Sequence, residues 1–398
     1  MRLLGSVGAE ALAMGTGCGL RQRGGSPHPA VPAPARVAAG VPAIACQKRS
    51  IMSTPSPSAL RRLRELLLPG RAPVTTLMML FSLAWWVMLA LQTSDIGSFS
   101  VSSLLRVGAN HAPFTLHGEP WRLVSYAFLH GGLIHLGMNL YALHVVGGMV
   151  EGRFGSARYA ILYVVAAIGA GLASALGSPL APSVGASGAI LGVIGAGAVA
   201  GHLMGNRIGE HIRNQLLVWF LIIMGIGLVG GSAGLRFDNW AHFGGFMTGA
   251  AMGALWFIVE KRKRHAGPVT AAVAVLVVAA SIAAAVTPWV VYRDVPVLSE
   301  DTGPRAETAR ARAWAACRDA LRAEPLADAM RPCRAYRMTD WHMGRGYVVM
   351  VLIHEALDRP VAAGQARAML ARVHPSGASL ERHSPTQAER MLRELADR

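Results

Sequence analysis

The sequence predicts an all-α polytopic membrane protein with a small helical extramembrane tail, and three observations predict it. Apolar residues make up 53% of the chain against 15% charged, too apolar a balance for a water-soluble protein. Windows of about twenty apolar residues, the length that crosses a roughly 30 Å hydrocarbon layer, recur through the middle. Beyond Tyr292 the composition turns to Arg, Asp, Glu and Ala with helical spacing.

The elements follow in order. Residues 1–72 are rich in Gly, Pro, Ala and Arg and lack the continuous apolar core of a secretory signal, so they read as a disordered extension. An Arg-rich, acid-poor leader is also a transit-peptide composition, which its prolines oppose, and translation from Met52 is another reading. Seven apolar windows then fall at 74–92, 124–150, 159–176, 184–204, 216–229, 240–259 and 270–291. They divide the chain into a six-span core at 73–260, a basic linker with a seventh span at 261–292, and a soluble helical tail at 293–398.

Arg and Lys collect before span 1 (Arg61, Arg62, Arg64, Arg71), between spans 2 and 3 (Arg153, Arg158), between spans 4 and 5 (Arg207, Arg213) and after span 6 (Lys261 to Arg264). Basic connections stay in the cytoplasm, so the N-terminus is expected inside and the tail outside, in a bacterial inner membrane. Spans 2, 4 and 6 then enter from the outside. The same bias accounts for the net charge of +16 without nucleic acid, since only Asp95, Glu119, Glu151, Glu210, Asp238 and Glu260 oppose it between 73 and 291. Of the four cysteines, Cys18 and Cys46 lie in the extension, while Cys317 and Cys333 can pair if the tail meets an oxidising compartment. The loop at 94–120, with Phe99, Leu104, Leu105 and Phe114, reads either as an interfacial segment or as a solvated connector.

Polar side chains at membrane depth are costly and therefore functional suspects. Span 2 holds His130, His135, Asn139 and His144, span 4 opens on Ser187, and span 6 opens on His242. Ser187 sits in Gly185-Ala186-Ser187-Gly188, which by itself describes a small-residue packing motif as well as a nucleophile. Gly245, Gly249 and Gly253 make one smooth face behind His242, and Gly188 and Gly192 match it on span 4. Close approach there brings a serine within hydrogen-bond reach of a histidine base. His135 and Asn139, four apart, share a helix face and donate hydrogen bonds without formal charge, as an oxyanion site or interhelical glue requires.

Other proteolytic chemistries lack their residues. Aspartyl catalysis needs two intramembrane carboxylates, and every acid of the spans lies in a connection or at a span end. The chain's lysines are Lys48, Lys261 and Lys263, none inside a span, and His354-Glu355 lacks the second histidine of a zinc-protease motif. A serine–histidine dyad needs no metal and no cofactor.

These residues, in this order and on these spans, resemble the rhomboid family of intramembrane serine proteases. The resemblance covers about 73–259 and rests on Trp121-Arg122, His130, His135-x-x-x-Asn139, Glu151-x-Arg153-x-Gly155-Ser156, Gly185-x-Ser187-Gly188 and Ala241-His242-x-x-Gly245-x-x-x-Gly249. It implies a six-helix bundle plus a seventh C-terminal span, with Ser187 as nucleophile, His242 as general base, and His135, Asn139 and the Ser187 N–H as oxyanion donors. It implies transmembrane proteins as substrates, hydrolysed in or beside their membrane segments; the tail's partner stays open. A catalytically silent client-binding relative and a transporter are the rival readings. One departure is Leu191, where the family often has an aromatic residue against which the catalytic histidine stacks.

Overall fold

The computed structural model describes residues 72–230, 237–261, 267–295, 297, 301–323, 325–374 and 380–397. The extension before Ala72, the Arg262 to Arg264 part of the basic cluster and Arg236 lie outside the described residues. Every regular element described is helical; the one β-bridge pairs Asn110 with Ser183.

Among the described residues six helices are long and apolar enough to cross a membrane: α1 (Pro73–Thr93), α5 (Leu133–Phe154, with a π turn at Leu143–Gly147), α6 (Ser156–Gly177), α8 (Arg207–Gly230), α9 (Asn239–Lys261) and α10 (Pro268–Val291). A seventh apolar helix, α7 (Ser187–Leu203), is shorter at 17 residues. At 1.5 Å per residue it covers about 25 Å, less than the hydrocarbon layer, so at least one end lies inside the apolar zone. Its small side chains let it occupy the centre of the bundle, buried from Gly188 to Ala198 between α6, α8 and α9. Such a helix contributes packing area only because neighbours approach its backbone.

Local chemistry sets the helix ends. Pro73 and Pro268 stand at first-turn positions, where the missing N–H costs nothing. Asp238 caps α9, its carboxylate accepting the Ala241 N–H at 2.9 Å. Glu151 reaches back 76 residues to cap α1, accepting from the Thr75 N–H and Thr75 hydroxyl at 2.8 Å each, while Ser156 donates to its other oxygen at 2.6 Å. Gly155, at φ 81°, supplies the left-handed turn between α5 and α6. The Glu151-to-Ser156 motif is thus a clamp joining three helices at one end of the bundle. Arg153 of that motif lies 5.6 Å from the Phe154 ring centroid.

The sequence pattern starts span 2 too early. Residues 122–128 form a separate short helix, α4 (Arg122–Ser125), and a 3₁₀ turn (Tyr126–Phe128), and the crossing helix begins at Leu133. His130 therefore precedes the span rather than lying in it. The apolar window is continuous because these loop residues are buried in protein, and hydropathy does not distinguish that from burial in lipid.

The loop between α1 and α5 also departs from both readings of it. It folds into α2 (Val101–Arg106) and α3 (Ala112–Thr115), and Phe99, Leu104, Leu105 and Phe114 are buried. Their partners are neither lipid nor water but Tyr292, Met338, Tyr347 and Leu370 from beyond span 7, which join them in one core. The tail comprises α11 (Pro304–Arg322), α12 (Met330–Thr339), α13 (Arg345–Ala356), α14 (Pro360–Val373) and α15 (Pro385–Asp397), with Cys317 and Cys333 bonded between α11 and α12.

Polar groups orient this docking. Asp301 caps α2, accepting from the Val101 and Ser102 N–H groups at 2.6 and 2.8 Å. Glu119 lies between Arg122, at 2.7 Å, and Arg337 of α12, at 3.1 Å, and accepts a hydrogen bond from the Tyr292 hydroxyl. Burial alone pushes the Glu119 carboxyl up, but Arg122, Arg337 and Tyr292 outweigh it and hold it below the usual range. Burial and the neighbouring Glu119 charge push the Tyr292 hydroxyl up to about 12.

Candidate active site

Ser187 is the first residue of α7, after a loop in which Gly185 adopts φ 124° and donates its N–H to the Tyr126 carbonyl at 3.0 Å. A side chain at Gly185 is excluded twice, by that conformation and by the His135 ring, which a Cβ would meet at 2.8 Å. Backbone N–H groups at the start of a helix have no intrahelical acceptor. The Ser187 N–H therefore points, with the positive end of the helix dipole, toward any negative charge that develops beside Oγ.

His242 lies in the first turn of α9, 3% exposed, with its N–H bonded to the Asp238 carbonyl at 3.0 Å. Its Nε2 stands 2.9 Å from Ser187 Oγ, across 55 residues of sequence. This distance depends on the absence of side chains between α7 and α9. A Cβ on Gly245 would overlap the Gly188 carbonyl, and one on Gly249 would overlap the Gly192 backbone. Among the described residues His242 Nδ1 has no hydrogen-bond partner, so no third side chain orients the ring through that atom. Leu191 is buried in the core, and the aromatic neighbour of His242 is Phe237, with ring centroids 6.4 Å apart. Sequence reading missed Phe237; its place just before the Asp238 cap was the only signal.

His135, two residues into α5, accepts a 3.4 Å hydrogen bond from the Gly131 N–H through Nδ1. A neutral ring accepting at Nδ1 carries its proton on Nε2, which with Cε1 forms the edge of the ring facing Gly185 beside the serine. Asn139, one turn on, donates one amide proton to the His135 carbonyl at 2.8 Å and is buried, leaving its second donor. His130 packs edge-on behind His135 at 5.2 Å between ring centroids. His144 is exposed on the π turn and apart from this group.

The other motif residues serve the scaffold. Arg122, fully buried, bonds Glu119 and the carbonyls of Leu105 and Ala109 at 2.6 and 2.8 Å, holding the first loop in shape. Trp121, half-buried, stands at the start of α4 beside it. Glu151, Arg153 and Gly155 lie at the α5–α6 end of the bundle. No group of His, Cys, Asp and Glu able to hold a metal occurs among the described residues.

Residues 117–259 match the family model for the rhomboid domain. RHOMBOID-like protein 5 of Arabidopsis thaliana is 36% identical over 156 residues, covering 39% of this chain and 50% of that protein. Rhomboid protease GluP of Bacillus subtilis is 39% identical over 72 residues, 18% of this chain and 14% of its own length. Rhomboid protease GlpG of Yersinia pestis is 30% identical over 96 residues, 24% of this chain and 32% of its own. The chain spans at most about half the length of these relatives. The matched segment contains Ser187, His242, His135 and Asn139 in a bundle of apolar helices, and the chain, an all-α multi-pass membrane protein, carries a rhomboid domain at residues 117–259.

Proposed function

We propose that the protein is an intramembrane serine endopeptidase that hydrolyses peptide bonds in or next to transmembrane segments of other membrane proteins. The observation that carries the proposal is the 2.9 Å contact between Ser187 Oγ and His242 Nε2, held in a helix interface with no room for side chains. An unassisted serine hydroxyl is a weak nucleophile, and a base at this distance removes its proton as Oγ attacks the substrate carbonyl. The tetrahedral oxyanion is stabilised by the Ser187 N–H, His135 Nε2–H and the free Asn139 amide proton, neutral donors that need no counter-charge in a dry site. Imidazolium formed at His242 then protonates the leaving amine, and water resolves the acyl-enzyme by the same route in reverse. Phe237, 6.4 Å away between ring centroids, is the aromatic neighbour of the His242 ring.

We place the catalytic core at 73–260, the seventh span in 261–292 and the tail at 293–398, with the N-terminus cytoplasmic and the tail outside. Supporting that orientation are the basic short connections and the bonded Cys317–Cys333 pair, which belongs in an oxidising compartment.

The test is cleavage of a single-span model substrate by the purified full chain, paired with labelling by a fluorophosphonate probe. Ser187→Ala and His242→Ala should each abolish cleavage, since the two act as one unit, and Ser187→Ala should lose the label. Robust turnover by Ser187→Ala would overturn the assignment. A wild type that neither cleaves nor labels, yet retains membrane clients, would instead be a silent binding member of the family.

A further inference from the structure

Away from the Ser187–His242 pair, a groove of 1050 Å³ lies between α11, α12 and the chain leaving α10. Arg305 and Arg312 line it from one face of α11, Arg331 from α12 and Arg293 from the segment after span 7. All four are exposed. Among the described residues of the wall the only acid is Asp294, 3.8 Å from Arg293 and in contact with Arg331. Four guanidiniums thus face one carboxylate, over a lining of alanine and proline with the single hydroxyl of Thr308.

The position of the groove narrows what it can bind. Arg293 follows the end of the membrane-crossing helix α10 at Val291 by two residues, which places it at the membrane–water boundary. Below it, Ile282, Val286 and Val290 recur every four residues on α10 and are 47%, 40% and 65% exposed. In a bilayer this stripe faces acyl chains, and it runs up to the level of the arginines. An apolar track ending under clustered guanidiniums matches the two halves of an anionic phospholipid. A soluble acidic peptide would use the arginines but not the track. The guanidinium fork suits phosphate oxygens because it donates two parallel N–H groups.

We infer that this groove is a binding site for an anionic phospholipid, whose phosphate is held by Arg293, Arg305, Arg312 and Arg331 and whose acyl chains lie along Ile282, Val286 and Val290. The site does not depend on the proposed catalytic chemistry.

Native mass spectrometry of the detergent-solubilised full chain, titrated with phosphatidylglycerol and with phosphatidylcholine of the same chain length, tests it. The wild type should prefer phosphatidylglycerol. Each juxtamembrane arginine contributes about fivefold in affinity, so R305Q with R312Q should weaken phosphatidylglycerol binding about 25-fold. Both side chains are exposed, and unchanged circular dichroism and melting would show that the fold is intact; R293Q provides a second, independent variant. Equal affinity for the two lipids, or unchanged binding in the variants, would overturn the inference. Two further arms discriminate other ligands. Inorganic phosphate that binds as tightly as the lipid would mark a small-anion site, and arginine-dependent binding of oligoglutamate without a lipid preference would mark a peptide groove; either would also overturn it.

Discussion

Gly249→Ala tests whether the catalytic distance is set by the α7–α9 backbone contact. Gly249 is seven residues beyond His242 on the same helix, and a Cβ built there overlaps the Gly192 carbonyl, C and Cα atoms at well below van der Waals separation. These are backbone atoms of a buried helix, so no side chain can rotate away. Restoring a separation of about 3.4 Å requires α9 to move off α7 by roughly 1 Å or more. The Ser187–His242 contact, at 2.9 Å, then passes beyond useful hydrogen-bond length. A misplacement of about 1 Å at a reacting pair costs on the order of 100-fold in rate, and overpacking costs about 1–3 kcal/mol of stability. The assay is the second-order rate of fluorophosphonate labelling in detergent, measured with a melting curve. Gly225→Ala on α8 is the control, because a Cβ there meets nothing within 4 Å. Labelling of Gly249→Ala at the wild-type rate would refute the argument that this contact holds the dyad together.

Three further outcomes are expected. His135→Ala and Asn139→Ala should each lower turnover about 10²- to 10³-fold, as loss of one oxyanion donor does, while Ser187 still labels; wild-type rates with lowered melting would make them interhelical glue. Because the folded Glu119 carboxyl is held below its ordinary 4.5, its contribution is fully present above that value and is lost as pH falls through the lower folded value. Tail protection in hydrogen exchange should therefore fall at acid pH, and Glu119→Gln, which leaves Arg122 and Arg337 buried against no counter-charge, should cost about 3–5 kcal/mol already at neutral pH. Reporter fusions at Gly267 and Thr308 should read inside and outside respectively; an inward Thr308 would reverse the orientation proposed for the tail.

Much of the architecture was legible because its signals are local. A membrane-crossing helix needs only length and apolar composition, so windows at 74–92, 159–176 and 270–291 correspond closely to α1, α6 and α10. Ser187, His242, His135 and Asn139 stood out because polar groups are scarce in such windows, and the glycine period on α9 pointed to the helix it packs against. Tertiary structure alone decided where buried residues find their partners. The apolar window at 124–150 overran the start of α5 at Leu133, since burial in protein and burial in lipid select the same residue types. Phe99, Leu105 and Phe114 gave no hint that they share a core with Tyr347 and Leu370 from a tail more than two hundred residues away. Glu151 capping α1 across 76 residues and Phe237 beside His242 were likewise invisible. Hydropathy and helical periodicity record how each segment meets its surroundings, whereas these contacts depend on which distant segments the fold brings together, which a single sequence does not encode in any short window.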